Sequence, residues 1–128
     1  MQMTPEQKER LIAICPEAFS ENARQHPMIY VDAGWYGVVE AFLKKVKAHC
    51  ETEPQMVEIS EIKQKFGKLK IIARGCSVRV RDMIDHAELT ALGVCEACGR
   101  EGMLINDNCW YKTLCPECDA KRRDGKPY

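Results

Sequence analysis

Two Cys-x-x-Cys pairs constrain this chain more than any other feature of its sequence. The first pair is Cys95 and Cys98, the second is Cys115 and Cys118, and 16 residues separate the two pairs. This spacing is typical of a site in which four thiolates surround one zinc ion as a tetrahedron. The alternatives are metal-free reduced thiols and a redox-active Cys-x-x-Cys, and two pairs at this distance disfavour both. We therefore predict one structural Zn²⁺ bound by these four cysteines.

Composition and the remaining cysteines favour a folded cytoplasmic protein. The chain has 128 residues, of which 45% are hydrophobic and 30% are charged, so it has enough apolar residues to build a core. No apolar run has the length of a signal peptide core or of a membrane span. Without export, we expect the other cysteines to be free thiols, and Cys109 to be a buried small residue. These four cysteines are Cys15, Cys50, Cys76 and Cys109.

Apolar periodicity and helix-end signals predict three main helices. The first helix is capped by Thr4 and stopped by Pro16, the second is capped by Asp32, and the third ends at Gly93. In the second helix, apolar side chains recur at helical spacing over residues 35–46.

Short apolar segments between the second and third helices predict a small two-stranded sheet. Its strands are residues 56–59 and 69–73. The intervening residues 60–66 have the pattern of a brief helix, with a serine cap at the start and Gly67 as the stop. In this interpretation Phe66 is a core residue.

The fold class predicted from these elements is α+β, with a helical unit at residues 1–93 and a zinc module at 94–128. In the module, residues 102–114 read as a hairpin and residues 119–123 as a short helix. A Cys-x-x-Cys turn, a hairpin and a helix with the last two ligands is a treble-clef arrangement. A zinc ribbon, in which both Cys-x-x-Cys turns lie on hairpins, is the alternative.

Charge is unevenly distributed although the formal net charge is zero. Residues 60–81 contain seven Lys or Arg residues and one acidic residue, Glu61, which is a net charge of +6. Such a segment suits phosphate groups or an acidic protein surface, unless its side chains pair with the acidic flanking segments. The candidate contact residues, with a second basic group near the C-terminus, are Lys63, Lys65, Lys68, Lys70, Arg74, Arg79, Arg81, Lys121, Arg122 and Arg123.

The enzyme classes that fit a zinc module do not fit this sequence. Treble-clef nucleases need a histidine base near the hairpin, and no histidine follows Cys98. His86 and Glu88 match the His-x-Glu of zinc deaminases, but the second cysteine pair is preceded by Leu114 instead of proline. We interpret His86 as a partly exposed helix residue. A four-sulfur site also has no open coordination position, so we predict a non-enzymatic protein without a small-molecule substrate.

Several motifs taken together resemble a family of small bacteriophage and prophage proteins. They are Gly34-Trp35, the segment 61–69, Ala87-Glu88, the first cysteine pair followed by Gly99, and Trp110 with Thr113-Leu114-Cys115. The resemblance covers roughly residues 34–118 and implies an accessory protein of the host cytoplasm, without implying an activity. By association it suggests a host protein complex as the partner, with an inhibitor of host defence or an adaptor as the role. Nucleic-acid binding through the basic residues 60–81 is the alternative.

Overall fold

The computed structural model of the protein describes residues 2–53 and 57–128. The α-helices are α1 (Pro5–Ile14), α2 (Glu21–Gln25), α3 (Tyr36–Thr52), α4 (Val78–Ala91) and α5 (Pro116–Arg123). The strands are β1 (Ile29–Tyr30), β2 (Glu58–Lys65), β3 (Lys68–Arg74), β4 (Met103–Asp107) and β5 (Trp110–Leu114). The predicted α+β class is confirmed. Among the described residues, no helix has the length and apolar content needed to cross a membrane.

The three predicted main helices correspond to α1, α3 and α4. Thr4 and Gln7 form a complete capping box at the start of α1, and the Ser77 hydroxyl accepts a hydrogen bond from the first turn of α4. Helix α3 packs against both α1 and α4. The predicted count of three is not confirmed, because α2 forms where Ser20 provides a further cap and α5 lies in the C-terminal module.

One apolar core joins α1, α2, α3 and α4 to a three-stranded sheet. The sheet has the order β1-β2-β3, with β1 parallel to β2 and β2 antiparallel to β3. The parallel pair is connected through α3, because parallel strands need a long crossover. Large side chains with almost no exposure in this core are Leu11, Ile29, Trp35, Val39, Leu43, Val46, Ile59, Ile62, Leu69 and Ile84. A second apolar cluster contains Leu114 and three of the cysteines of the two pairs.

The prediction of a two-stranded sheet is wrong, because β1 is a third strand of this sheet. Strand β1 pairs Ile29 with Ile62 of β2. The predicted strand at 69–73 is confirmed as β3. Met56, where the other predicted strand begins, lies outside the described residues.

The brief helix predicted over residues 60–66 is also wrong, because residues 60–65 belong to β2 and Phe66 lies in the turn that follows. A register shift between Ile59 and Glu61 turns both Ile59 and Ile62 toward the core, so a three-residue spacing occurs in a strand. The stop signal at Gly67 belongs to a two-residue turn in which Phe66 and Gly67 have φ values of 54° and 76°. Phe66 is 64% exposed and is not a core residue.

Candidate metal centre

The four cysteines of the two pairs converge at one point of the C-terminal module. Their Sγ atoms all lie within 4.8 Å of one another, and the Sγ atoms of Cys98 and Cys115 are 3.5 Å apart. Zinc–sulfur bonds of about 2.3 Å in a tetrahedron place the sulfurs about 3.8 Å apart. None of the four is in a disulfide. The number, chemistry and spacing of these donors therefore fit a metal ion.

The first cysteine pair lies on a tight turn that its own backbone closes. The Gly99 N–H donates to the Cys95 carbonyl over 2.9 Å, and the Cys95 N–H donates to the Arg100 carbonyl over 2.7 Å. Gly99 has a φ of 83°, a conformation that glycine adopts at little cost. Cys95 is buried and Cys98 is exposed, so the cluster lies close to the surface on one side.

The second pair lies at the start of α5. Cys115 is the N-cap residue of this helix, Pro116 occupies its first turn, and the Cys118 N–H donates to the Cys115 Sγ over 3.4 Å. The N-terminus of a helix carries a partial positive charge, which favours a thiolate at this position. The start of α5 therefore orients the Cys115 sulfur, and its first turn carries the Cys118 sulfur.

The thiols of the cluster differ in acidity. Burial raises the pKa of Cys115, but the Cys118 backbone N–H and the neighbouring thiols outweigh this effect and lower its pKa to about 7. Burial, together with hydrogen bonds to neighbouring thiols, raises the pKa of both Cys98 and Cys118. Cys115 therefore ionises at lower pH than Cys98 and Cys118. A bound cation favours ionisation of the remaining thiols, because metal binding releases thiol protons.

A buried carboxylate inside the first Cys-x-x-Cys turn connects the cluster to the rest of the fold. Glu96 is 2% exposed and accepts hydrogen bonds from the Thr113 N–H (2.9 Å) and the Gln64 amide (3.2 Å). Its carboxylate also lies 3.5 Å from the Lys112 ammonium, which pairs with Asp32 over 3.1 Å. Burial raises the pKa of Glu96, whereas the two carboxylates outweigh burial and raise the pKa of Lys112.

Replacing Glu96 by Ala is expected to lower the free energy of unfolding by about 3 kcal/mol. The substitution leaves the buried Thr113 N–H without its acceptor, and an unpaired buried polar group costs about 1–3 kcal/mol. The Gln64 amide would keep only the Tyr111 carbonyl, at 3.5 Å. Urea denaturation of the zinc-loaded chain measures the difference. Glu101→Ala, at an exposed position of the same module, is the matched control and should change stability by less than about 0.5 kcal/mol. Equal stability of the two variants would show that Glu96 is not a link between the cluster and β2.

Gly34 and Trp35 hold the first Cys-x-x-Cys turn from the other side. The Gly34 N–H donates to the Glu96 carbonyl over 2.9 Å, and the Trp35 indole N–H donates to the Val94 carbonyl over 2.8 Å. A Cβ atom at position 34 would lie 2.5 Å from the Glu96 carbonyl oxygen. The close approach of the two backbones therefore requires glycine at this position.

Four of the predicted basic residues share one surface of the sheet. Lys63 lies directly opposite Lys70, and Lys65 lies opposite Lys68. Directly opposed residues of antiparallel strands project from the same face, and so do residues two apart along one strand. The opposite face carries the buried Ile62, Leu69 and Ile71. We call the outward surface of Lys63, Lys65, Lys68 and Lys70 the lysine face.

The other predicted basic residues have different surroundings. Arg74 pairs with Glu58 over 3.6 Å at the end of the hairpin. Arg79 and Arg81 are exposed on α4, and Lys121 is exposed on α5. Arg122 and Arg123 both pair with Asp119, over 2.8 and 3.0 Å, and the Arg122 guanidinium lies 4.1 Å from the centre of the Trp110 ring. These two arginines therefore pair with acidic residues of their own module.

Three further residues singled out in the sequence lie outside the cysteine cluster. Glu88 accepts a hydrogen bond from the Ile71 N–H (3.0 Å) and thereby caps the free edge of β3. His86 lines a small cleft between α3 and α4. The expectation of a buried Cys109 is wrong, because the tight turn between β4 and β5, where Cys109 has a φ of 65°, exposes its side chain. Sequence reasoning missed Glu96, whose burial arises only from the packing of β5 and β2.

The chain was also compared with known proteins. No family model, no curated protein and no solved structure matched it.

Proposed function

We propose that this chain is a non-enzymatic binding protein whose C-terminal module is held by one structural zinc ion. The observation that supports this is the convergence of Cys95, Cys98, Cys115 and Cys118, with all Sγ atoms within 4.8 Å of one another. When bound, zinc would cross-link the first Cys-x-x-Cys turn to the start of α5. Four sulfur ligands complete a tetrahedral site, which leaves no coordination position for a substrate.

The order of elements supports a treble-clef module. A Cys-x-x-Cys turn comes first, the β4–β5 hairpin follows, and the last two cysteines are the cap and the first-turn residue of α5. A zinc ribbon would instead have its second pair on a hairpin turn. The treble-clef assignment also accounts for the role of α5, which would hold two ligands at one helix end.

Cobalt substitution tests whether the proposed site is closed. The apo chain, prepared with a chelator under reducing conditions, is titrated with Co²⁺ while thiolate charge-transfer and ligand-field absorption are recorded. We expect saturation at about one Co²⁺ per chain and a tetrahedral four-thiolate spectrum that azide and imidazole leave unchanged. A spectrum that changes with azide would reveal an open position and contradict a purely structural role.

The partner is proposed from charge and from the quoted motifs. The lysine face suits an anionic macromolecule, because two pairs of opposed ammonium groups point to solvent from one side of the sheet. An acidic surface of a host protein complex has this charge, and so does a nucleic acid. The phage-type motifs support two further parts of the proposal. The chain would act in the host cytoplasm, either as an inhibitor of host defence or as an adaptor.

A pull-down with a matched variant tests this partner proposal. The tagged, zinc-loaded chain and its Lys68→Glu/Lys70→Glu variant are each incubated with bacterial lysate, half of which has been treated with nuclease. We expect the parent chain to retain a defined set of macromolecules that the variant loses. Equal retention by both chains would show that the lysine face is not the binding surface.

A further inference from the structure

We propose that the lysine face binds single-stranded nucleic acid, with phosphates on the lysines and bases stacked on Tyr30 and Phe66. The inference rests on the proposed binding function and specifies the class of its partner. It depends on three features of the sheet: the opposed lysines, the aromatic side chains beside them, and the backbone conformation of Phe66.

The arrangement of the four lysines does not stabilise the fold of the free protein. Like charges directly opposite each other on a sheet repel, and this occurs twice, at Lys63–Lys70 and Lys65–Lys68. Lys63 is 3.4 Å from Glu61. Within residues 2–53 and 57–128, the other three lysines form no ion pair. A polyanion with regularly spaced phosphates would neutralise all four.

Glu61 pairs with Lys63 on this surface, and two further acidic side chains lie along the edge of β3. Asp85 and Glu88 of α4 line the groove along the edge of β3 together with Lys68 and Lys70, and the Glu88 carboxylate accepts the Ile71 N–H. These carboxylates repel a phosphate backbone from the β3 edge. The open direction therefore runs across the sheet toward β1.

Exposed aromatic side chains lie in that direction and at the hairpin tip. Tyr30 of β1 is the register neighbour of Lys63 and is 53% exposed, with the Lys8 ammonium 5.7 Å from its ring centre. Phe66 is 64% exposed, and the Lys65 ammonium lies 6.0 Å from its ring centre. Aromatic rings beside cations are the elements with which proteins bind single strands, because every base has a face that can stack. An acidic protein surface would need the lysines alone.

Phe66 occupies a turn position that suits other residues better. Its φ of 54° lies in the left-handed region, and this position of a two-residue hairpin turn favours Asn, Asp or Gly. The ring makes an edge contact with Tyr111 at 5.7 Å between centres but is otherwise largely in solvent. A strained and exposed aromatic residue next to a basic surface is consistent with a binding role.

Fluorescence anisotropy of labelled oligothymidylate and oligouridylate, each of about 20 nucleotides, tests the proposal with the zinc-loaded chain. Four phosphate contacts predict that log K falls with log salt concentration with a slope of about −2.8. For Lys65→Gln/Lys68→Gln we expect a slope of about −1.4 and unchanged or higher thermal stability, since one opposed pair is removed. The control Lys44→Gln/Lys45→Gln, on α3, should bind like the parent chain.

A second variant separates base stacking from folding. Phe66→Asn places a favoured turn residue before Gly67, so we expect unchanged or higher thermal stability and about tenfold weaker binding of the single strand. Unchanged binding by this variant would overturn the stacking role of Phe66. A parent chain that binds neither oligonucleotide at low salt would overturn the proposal. Nuclease-resistant capture of an acidic protein by the lysine face, without oligonucleotide binding, would also overturn it. The zinc content of the same sample shows separately whether the metal centre is present.

Discussion

Replacing Cys115 by Ser is expected to abolish stoichiometric zinc binding and to unfold much of the module at residues 94–128. The binding free energy of a four-ligand structural zinc site is on the order of 10 kcal/mol, and in small modules this energy contributes directly to folding. The module has little other stabilisation without the metal, because its own apolar cluster is small and includes three of the cysteines. Cys115 is also the N-cap of α5, so the substitution removes the sulfur that orients the helix start.

Metal analysis and hydrogen exchange of the full chain measure these two effects. For Cys115→Ser we expect less than about 0.2 zinc per chain and fast exchange of the β4 and β5 amides. Cys109→Ser is the matched control, because Cys109 belongs to the same module but is exposed on the hairpin turn. We expect this control to retain zinc and protection. Normal zinc content in Cys115→Ser would exclude Cys115 as a ligand.

Replacing Gly34 by Ala is expected to lower the free energy of unfolding by about 3 kcal/mol or more. The new Cβ would meet the Cys95 carbonyl oxygen and would lie 2.5 Å from both the carbonyl carbon and the carbonyl oxygen of Glu96. These are backbone atoms of the Cys-x-x-Cys turn, so no side-chain rotation relieves the clash, and overpacking of this kind costs about 1–3 kcal/mol or more. The hydrogen bond from the Gly34 N–H to Glu96 would also be strained.

Gly37→Ala is the matched control for this effect. Gly37 lies in α3, and a Cβ at its position would meet no heavy atom within 4 Å. Since Ala favours the helix over Gly by about 1 kcal/mol, this variant should be as stable as the parent chain or more so. Denaturation of both zinc-loaded variants in urea gives the comparison. A Gly34→Ala variant as stable as Gly37→Ala would contradict the close backbone packing.

The parts of the fold that the sequence predicts correctly are those with local signals. Thr4 is a cap directly before the helix that it starts, and the apolar residues that predict α3 recur within 12 positions, from 35 to 46. The spacing of the two cysteine pairs is likewise visible without the fold. The structure brings the four Sγ atoms together as that spacing predicts, while the metal itself remains a proposal.

Strand β2 could not be predicted from local signals because a bulge imitates helical spacing. Ile59 and Ile62 are three residues apart and are both buried, which a regular strand does not permit. The register shift before Glu61 makes this possible, and the shift depends on pairing with β3. The roles of the residues around the cluster could not be predicted from local signals either. Gly34 and Glu96 acquire their roles only when distant segments pack together.

The metal content of the freshly purified chain is the most direct test of the central claim. The chain is produced without added metal chelator, passed through gel filtration in a reducing buffer, and analysed by mass spectrometry for zinc, iron, nickel and copper. We predict about one zinc per chain, lost together with the tertiary structure of the C-terminal module when a strong chelator is added. A folded chain that contains no stoichiometric metal, and that a chelator does not change, would contradict the account.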